Sequence, residues 1–329
     1  MRVRVVLLSV CLGGYLLFVQ TGFCGGPYDR PYGEAHQSRS TVISTHGMVA
    51  TSHPLAASVG LDVLKQGGNA VDAAIATNAM LGLVEPMSCG IGGDLFAIYW
   101  DAKSKKLYGL NASGRSPHAL NRRVFQKRGL DQIPLEGPLS WSVPGCVDGW
   151  FELHGRFGKQ SMQQLLKPSI EYGKEGFPVT EIIAGYWSKA DEAFADQPDS
   201  RNTFLIDGKP PVEGQIFRNP NLARTYELIA EEGRKAFYQG SIARRIVDYS
   251  SKHDGFFSMK DFTDHRSTWV EPVSTNYRGY DVWELPPNGQ GIAALEMLNV
   301  LEGYDLASMG AGSAEYLHLF VESKKLAFA

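Results

Sequence analysis

The chain has 329 residues, 43% of them hydrophobic and 20% charged, with 32 basic against 35 acidic side chains and a formal charge of −3. That length buries a large core as one big domain or two ordinary ones. The aromatic content and low charge exclude a disordered chain, the slightly acidic balance excludes an electrostatic nucleic-acid binder, and four Cys are too few for a disulfide scaffold.

The N-terminus opens with Arg2 and Arg4, followed by an apolar run over residues 5–19. A basic flank and about 15 apolar residues form the pattern of a secretory signal. A transmembrane anchor needs ~20 apolar residues, and Gly13, Gly14 and Gln20 shorten this run. The reading is a cleavable leader over 1–24 and an exported, periplasmic or extracellular protein. Cys24 suggests a lipoprotein site, but Thr21-Gly22-Phe23 fits such a site poorly. Residues 25–40 are Gly-, Pro- and polar-rich, which suits a linker. Outside the leader only Cys89 and Cys146 remain, open to pairing or to burial as free thiols. No Cys/His spacing suggests a metal site, and no cofactor is expected.

Ser52-His53-Pro54 opens a helix with Pro in its first turn, and Gly67-Gly68 ends it. Asn69, with Asp72 three residues on, caps a second helix over Ala70–Val84. Its apolar residues lie on every side, so burial is predicted. The glycine-rich stretch Met87–Asp94 leads into a strand over 95–100, and a turn over 101–106 returns the chain as a second strand over 107–111, a hairpin. Helical patterns recur at 147–157, 161–174, 180–194, 221–232, 241–253, 291–301 and 314–328. A second strand pair is predicted at 270–277 and 280–285, joined at Arg278-Gly279. No repeat or linker follows Ser40, so the remainder reads as one α+β unit.

Three stretches invite chemistry. Gly90-Ile91-Gly92-Gly93 is not G-x-G-x-x-G and leads into a strand, so it reads as a structural turn or the lining of a ligand cleft. Arg115 follows the hairpin beside Ser113 and Gly114, a setting suited to bidentate carboxylate recognition as well as to a solvated loop. Pro286-Pro287-Asn288-Gly289-Gln290-Gly291 runs from strand to helix, where free N–H groups can meet an oxyanion, or where a rigid turn alone is needed.

Taken in order, the motifs carry a resemblance. Gly47-Met48-Val49-Ala50-Thr51-Ser52-His53-Pro54 and Gly67-Gly68-Asn69-Ala70-Val71-Asp72-Ala73-Ala74 are similar to the large subunit of gamma-glutamyltransferases (gamma-glutamyltranspeptidases). Glu85-Pro86, Gly90–Gly93, Gly279-Tyr280, Pro286-Pro287 and Lys325-Leu326-Ala327-Phe328-Ala329 follow in the family's order. The resemblance covers about residues 41 to 329. It implies an N-terminal-nucleophile hydrolase with an αββα sandwich, made as a proenzyme that cleaves itself before a Thr into a large and a small subunit. That Thr attacks the amide of a gamma-glutamyl group, as in glutathione, its own α-amine acting as base; water or an amino acid resolves the acyl-enzyme.

In the family the nucleophile lies several tens of residues beyond the Lys-Leu-Ala-Phe-Ala helix. The expectation is therefore a large-subunit portion truncated before its nucleophile, with an incomplete sandwich, inactive alone, whose partner is its own small subunit. Thr263-Asp264-His265-Arg266-Ser267 spells Thr-x-His-x-Ser, but it precedes the Pro286-Pro287 motif and is set aside. Substrate binding is assigned to Arg115 and Ser113. The family places a carboxylate-clamping Arg four residues before a Pro; here Ser113 stands four before Pro117 and Arg115 two. Either Arg115 takes over the clamp, or this branch prefers other amides, as the related cephalosporin acylases do. The competing readings are an exported binding protein for an amino-acid-like ligand, and a degenerate, inactive relative.

Overall fold

A computed structural model describes residues 41–329; the leader and linker readings fall outside the described residues. Helix α1 spans Pro54–Lys65, with the His53 Nδ1 atom accepting the Leu55 N–H. Helix α2 spans Ala70–Val84 and starts on the capping box read from Asn69 and Asp72: the Asn69 side chain accepts the Val71 and Asp72 N–H groups, and Asp72 accepts the Asn69 N–H. Eleven of its fifteen residues are buried, which confirms the all-round apolar pattern as that of a central helix. Asp72 is fully buried, and it also accepts N–H groups from Lys159 and Gln160, so a cap doubles as a tether to a segment far along the chain.

Strands β1 (Leu95–Asp101) and β2 (Lys106–Ala112) form the hairpin, pairing Leu95 with Ala112 and Asp101 with Lys106. A third strand, Thr268–Val270, adds antiparallel to β2, with Gly109 opposite Val270. The predicted strand over 270–277 is two strands. Pro272 lacks an N–H and interrupts the ladder, so Thr268–Val270 joins the first sheet and Val273–Tyr277 pairs with Tyr280–Glu284 in a separate hairpin. Helix α3 (Arg122–Lys127) is a short turn that the sequence reading omitted. Helix α4 (Cys146–Phe157) packs on β1 and β2, and α5 (Met162–Glu175) packs on α2 and on the helix Pro220–Glu232. Tyr226 of that last helix is fully buried and donates to the Ala79 carbonyl of α2 at 2.9 Å. The helices Gly291–Glu302 and Ala314–Ala327 pack together, the first also covering the Val273–Glu284 hairpin.

The described residues fall into two compact units. The larger takes His46–Phe177 and Arg218–Ala329; Pro178–Phe217 belongs to the smaller. Within the smaller, Val179 exchanges backbone hydrogen bonds with Gln215 and Gly214, which draws its two ends together, and Trp187 packs on Phe217 with ring centroids 4.7 Å apart. The helix predicted over 180–194 breaks into Glu181–Trp187 and Ala190–Ala193. Gly185 is a poor helix former, and the Ser188 hydroxyl donates to its carbonyl at 2.7 Å, which ends the first piece. Among the described residues, no helix is long and apolar enough to cross a membrane.

Candidate active site

The hairpin register places residue 94, just before β1, beside residues 113 and 114, just after β2. The Asp94 carboxylate uses this proximity: one oxygen accepts the Gly114 N–H at 2.6 Å and the other the Ser113 hydroxyl at 3.2 Å. Asn111 Oδ1 accepts the Ser113 N–H at 2.9 Å, which fixes the turn leaving β2. Asn288 closes the cluster from the far end of the chain. Its Nδ2 donates to the Ser113 oxygen at 2.9 Å, and its Oδ1 accepts from Asn111 Nδ2 at 2.8 Å. Ser113 thus gives its proton to Asp94 and receives one from Asn288, its hydroxyl oriented from two sides. Asp94 and Asn288 are exposed, and Ser113 is half-buried.

The loop rests on the start of α4. The Gly93 carbonyl accepts the N–H groups of Gly145 and Cys146, both at 3.0 Å, and Val143 donates to the Arg115 carbonyl at 2.9 Å. Two glycines are needed for this approach: a Cβ on Gly145 would lie 1.9 Å from the Ala112 oxygen, and one on Gly114 would lie 2.1 Å from the Val143 oxygen. The glycine-rich stretch over 90–93 docks on the start of α4 through the Gly93 carbonyl.

The sequence profile of the gamma-glutamyltranspeptidase family matches residues 56–329. The chain belongs to the gamma-glutamyltranspeptidase family. It is 40% identical to the glutathione hydrolase-like YwrD proenzyme of Bacillus subtilis over 289 residues, which is 88% of this chain and 55% of that protein. Its fold resembles that of a cephalosporin acylase from Bacillus halodurans, at a TM-score of 0.83 and 41% identity, covering 92% of this chain and 57% of that one. The gamma-glutamyltranspeptidase of Helicobacter pylori gives a TM-score of 0.82 at 30% identity, covering 88% and 84%. The chain spans about half the length of the curated relatives it matches. The α+β, N-terminal-nucleophile hydrolase class read from the sequence is the fold of these structures.

The two residues assigned to substrate binding differ in their surroundings. Ser113 is held at the centre of the Asp94–Asn288 cluster. Arg115, two residues on in the same loop, is exposed, and among the described residues its guanidinium makes no hydrogen bond or ion pair with a side chain. Asp94 and Asn288 were missed as partners. The signal for Asp94 was the hairpin register, and that for Asn288 the Pro286-Pro287-Asn288-Gly289 turn, flagged for its backbone rather than its side chain.

The Thr263–Ser267 stretch has structural work. Thr263 lies inside the helix Met259–Asp264 and donates its hydroxyl to the Lys260 carbonyl at 3.1 Å. Ser267 donates its N–H and its hydroxyl to Asp148, at 2.5 and 2.6 Å. Asp148 is fully buried at the start of α4, where Arg234 donates to its other oxygen and also to the His265 carbonyl. Burial pushes the Asp148 carboxyl up, but the bonds from Ser267 and Arg234 outweigh it and hold it below the usual carboxylate range. His265 is buried, stacked on Tyr238, and its Nε2 lies 3.8 Å from Asp148 with neither ring nitrogen hydrogen-bonded. Burial lowers its pKa; the Asp148 charge opposes this and the Arg234 and Arg115 charges add to it.

Cys89 and Cys146, within the described residues, are free thiols. Cys146, buried at the first turn of α4, donates to Asn78 at 3.4 Å, and burial pushes its pKa up to about 12. Among the described residues, no group of three or more His, Cys, Asp or Glu side chains is placed to hold a metal ion.

Proposed function

We propose that this chain is the large-subunit portion of an exported proenzyme that hydrolyses or transfers gamma-glutamyl or related amide groups. The observation that carries this reading is the Asp94–Ser113–Asn288 cluster, oriented at the end of the hairpin in a gamma-glutamyltranspeptidase fold. Ser113 and Arg115 form the substrate-binding wall, Arg115 offering two parallel N–H donors to a substrate carboxylate. A Thr beyond Ala329 supplies the nucleophile, its α-amine acts as base, and backbone N–H groups of the small subunit stabilise the tetrahedral oxyanion. The acyl-enzyme then passes to water or to an amino acid. Residues 1–24 direct export, and 25–40 link the leader to the folded part.

The exposed faces support a small-subunit partner. On β1, the alternate residues Phe96, Ile98 and Trp100 are exposed on one face of an edge strand, and Leu317, Phe320, Val321 and Leu326 are exposed on the last helix. Exposed apolar side chains grouped in this way on a folded chain are the kind of surface a partner covers. The test is production of the parent proenzyme with its small subunit. It is expected to split into two chains, the smaller beginning with Thr, and to release a chromogenic anilide from a gamma-glutamyl anilide. Thr→Ala at the new N-terminus should leave one uncut, inactive chain, and residues 25–329 alone should show no turnover. Turnover by residues 25–329 that Thr263→Ala abolishes would overturn the reading.

A further inference from the structure

A cavity of about 670 Å³ lies behind the loop that carries Ser113 and Arg115, and the reaction as proposed makes no use of it. Its lining includes Leu120, Phe125, Leu130, Leu139 and Trp141, together with the exposed polar residue Gln126. Trp141 is braced from outside by Phe257 and Tyr249, each with its ring centroid 6.3 Å away. The Ser140 hydroxyl, also in the lining, donates to the Gly137 carbonyl at 2.9 Å. Arg122 and Asp131 also line it, but its lining is more apolar than polar, and a cavity of this size lined mainly by apolar side chains with a few polar groups is the usual form of a small-molecule site.

Its position gives it meaning. Ser116 lines the cavity and directly follows Arg115. Ser142 also lines it, and its Oγ would lie 2.7 Å from a Cβ on Gly114, so one layer of backbone separates the cavity from the Asp94–Ser113 cluster. The Val143 N–H to Arg115 carbonyl bond ties the two sides together. The cavity lining therefore begins at the residue that follows Arg115.

We propose that this cavity receives an aromatic or branched aliphatic substituent on the acyl half of the substrate, next to the carboxylate that Arg115 holds. The proposal rests on the amide-hydrolase reading above and names a substrate class for it: gamma-glutamyl amides whose α-amine carries an apolar acyl group. Burial of that substituent contributes apolar binding free energy that the bare glutamyl group lacks.

The two-subunit enzyme should be assayed with a gamma-glutamyl anilide and with its N-α-benzoyl derivative. The parent is expected to favour the benzoylated substrate in kcat/KM. Gln126→Trp, at an exposed lining position, adds an indole to the cavity and should lower the benzoylated-to-plain kcat/KM ratio at least tenfold with an unchanged thermal midpoint. Trp141→Ala, which widens the cavity, should shift preference towards larger acyl groups. If the ratio stays constant in both variants, or follows the size of the leaving amine at a fixed acyl group, the proposal is overturned. Calorimetric binding of N-benzoylglutamate separates the two readings. Binding that Gln126→Trp weakens tenfold, in an enzyme that turns over neither anilide, keeps the cavity and rejects the amide-hydrolase reading. Turnover of the plain anilide without benzoylglutamate binding does the reverse.

Discussion

Two polar clusters in the larger unit bring together residues far apart in sequence, and they differ in what surrounds them. Around Asp148, the carboxylate, Tyr238 and His265 are buried, with the half-buried Arg234 and Ser267 closing over them, and both carboxylate oxygens are taken by donors. Around Asp94, the carboxylate, Ser113, Asn111 and Asn288 join a hairpin end to a strand–helix turn at the surface, beside an Arg115 with no side-chain partner among the described residues. The first cluster fixes the fold because breaking it strands a charge away from water. The second orients its groups while water still competes for them, so it leaves capacity for a ligand. Burial, more than the residue types, separates a structural polar network from a binding one.

The sharpest way to break that distinction is Asp148→Ala. It removes the partner of Arg234 and the acceptor for Ser267 in the interior, and loss of one member of a buried pair costs about 3–5 kcal/mol. The urea midpoint of the two-subunit enzyme should fall accordingly. A loss under ~1 kcal/mol would mean that water reaches Asp148 and that the two clusters are alike.

Gly114→Ala probes the other side. A Cβ there would meet the Val143 oxygen at 2.1 Å and Ser142 Oγ at 2.7 Å, so the loop must shift and its N–H must leave Asp94. Overpacking of this kind costs about 1–3 kcal/mol, but kcat/KM should fall by far more than that loss of stability explains, because Ser113 and Arg115 move with the loop. An unchanged kcat/KM in a destabilised protein would take the loop out of the site.

A third measurement separates the clusters by pH. The His265 pKa is depressed in the folded state, chiefly by burial. The unfolded chain therefore binds the proton more readily, and the contribution of His265 is full above its unfolded pKa of about 6.5 and is lost as pH falls through that value. Asp148, also depressed, keeps its contribution until pH falls below the unfolded carboxylate value of about 3.9. His265→Phe preserves the stack on Tyr238 and should flatten the stability profile between pH 7 and 5 while leaving the acid limb. A profile identical to the parent's would show that His265 binds its proton equally well in the folded and unfolded chain.

These clusters also mark where the sequence stopped being legible. The capping box at Asn69 and Asp72, the buried α2 and the 95–112 hairpin were readable because each depends on residues within one or two turns of each other. The split at Pro272 was readable in principle from its missing N–H, and was overridden by a continuous β-like pattern. The break after Trp187 depended on one serine bonding back to Gly185. Neither cluster could be read, since Asp148 meets Ser267 and Arg234, and Ser113 meets Asn288, only after three or more segments have folded together. Thr263-Asp264-His265-Arg266-Ser267 shows the converse: a catalytic-looking spelling whose His and Ser belong to the packing of Asp148.

The smallest expected effect on stability and the most specific on function belong to Arg115→Ala. The side chain is exposed and bonded to no side chain among the described residues, so its removal should change the unfolding free energy by no more than about 0.5 kcal/mol. In the two-subunit enzyme it is expected to lose the charged pair with a substrate carboxylate, worth on the order of 2–5 kcal/mol when desolvated. Ser113 cannot substitute, since its single hydroxyl proton is already directed at Asp94. The carboxylate is held alike in ground and transition states, so the loss should fall on KM with kcat nearly unchanged. A substrate lacking the free α-carboxylate should be turned over equally by parent and variant. Equal effects on both substrates, or none on either, would leave Arg115 a solvated loop residue and move carboxylate recognition to the small subunit.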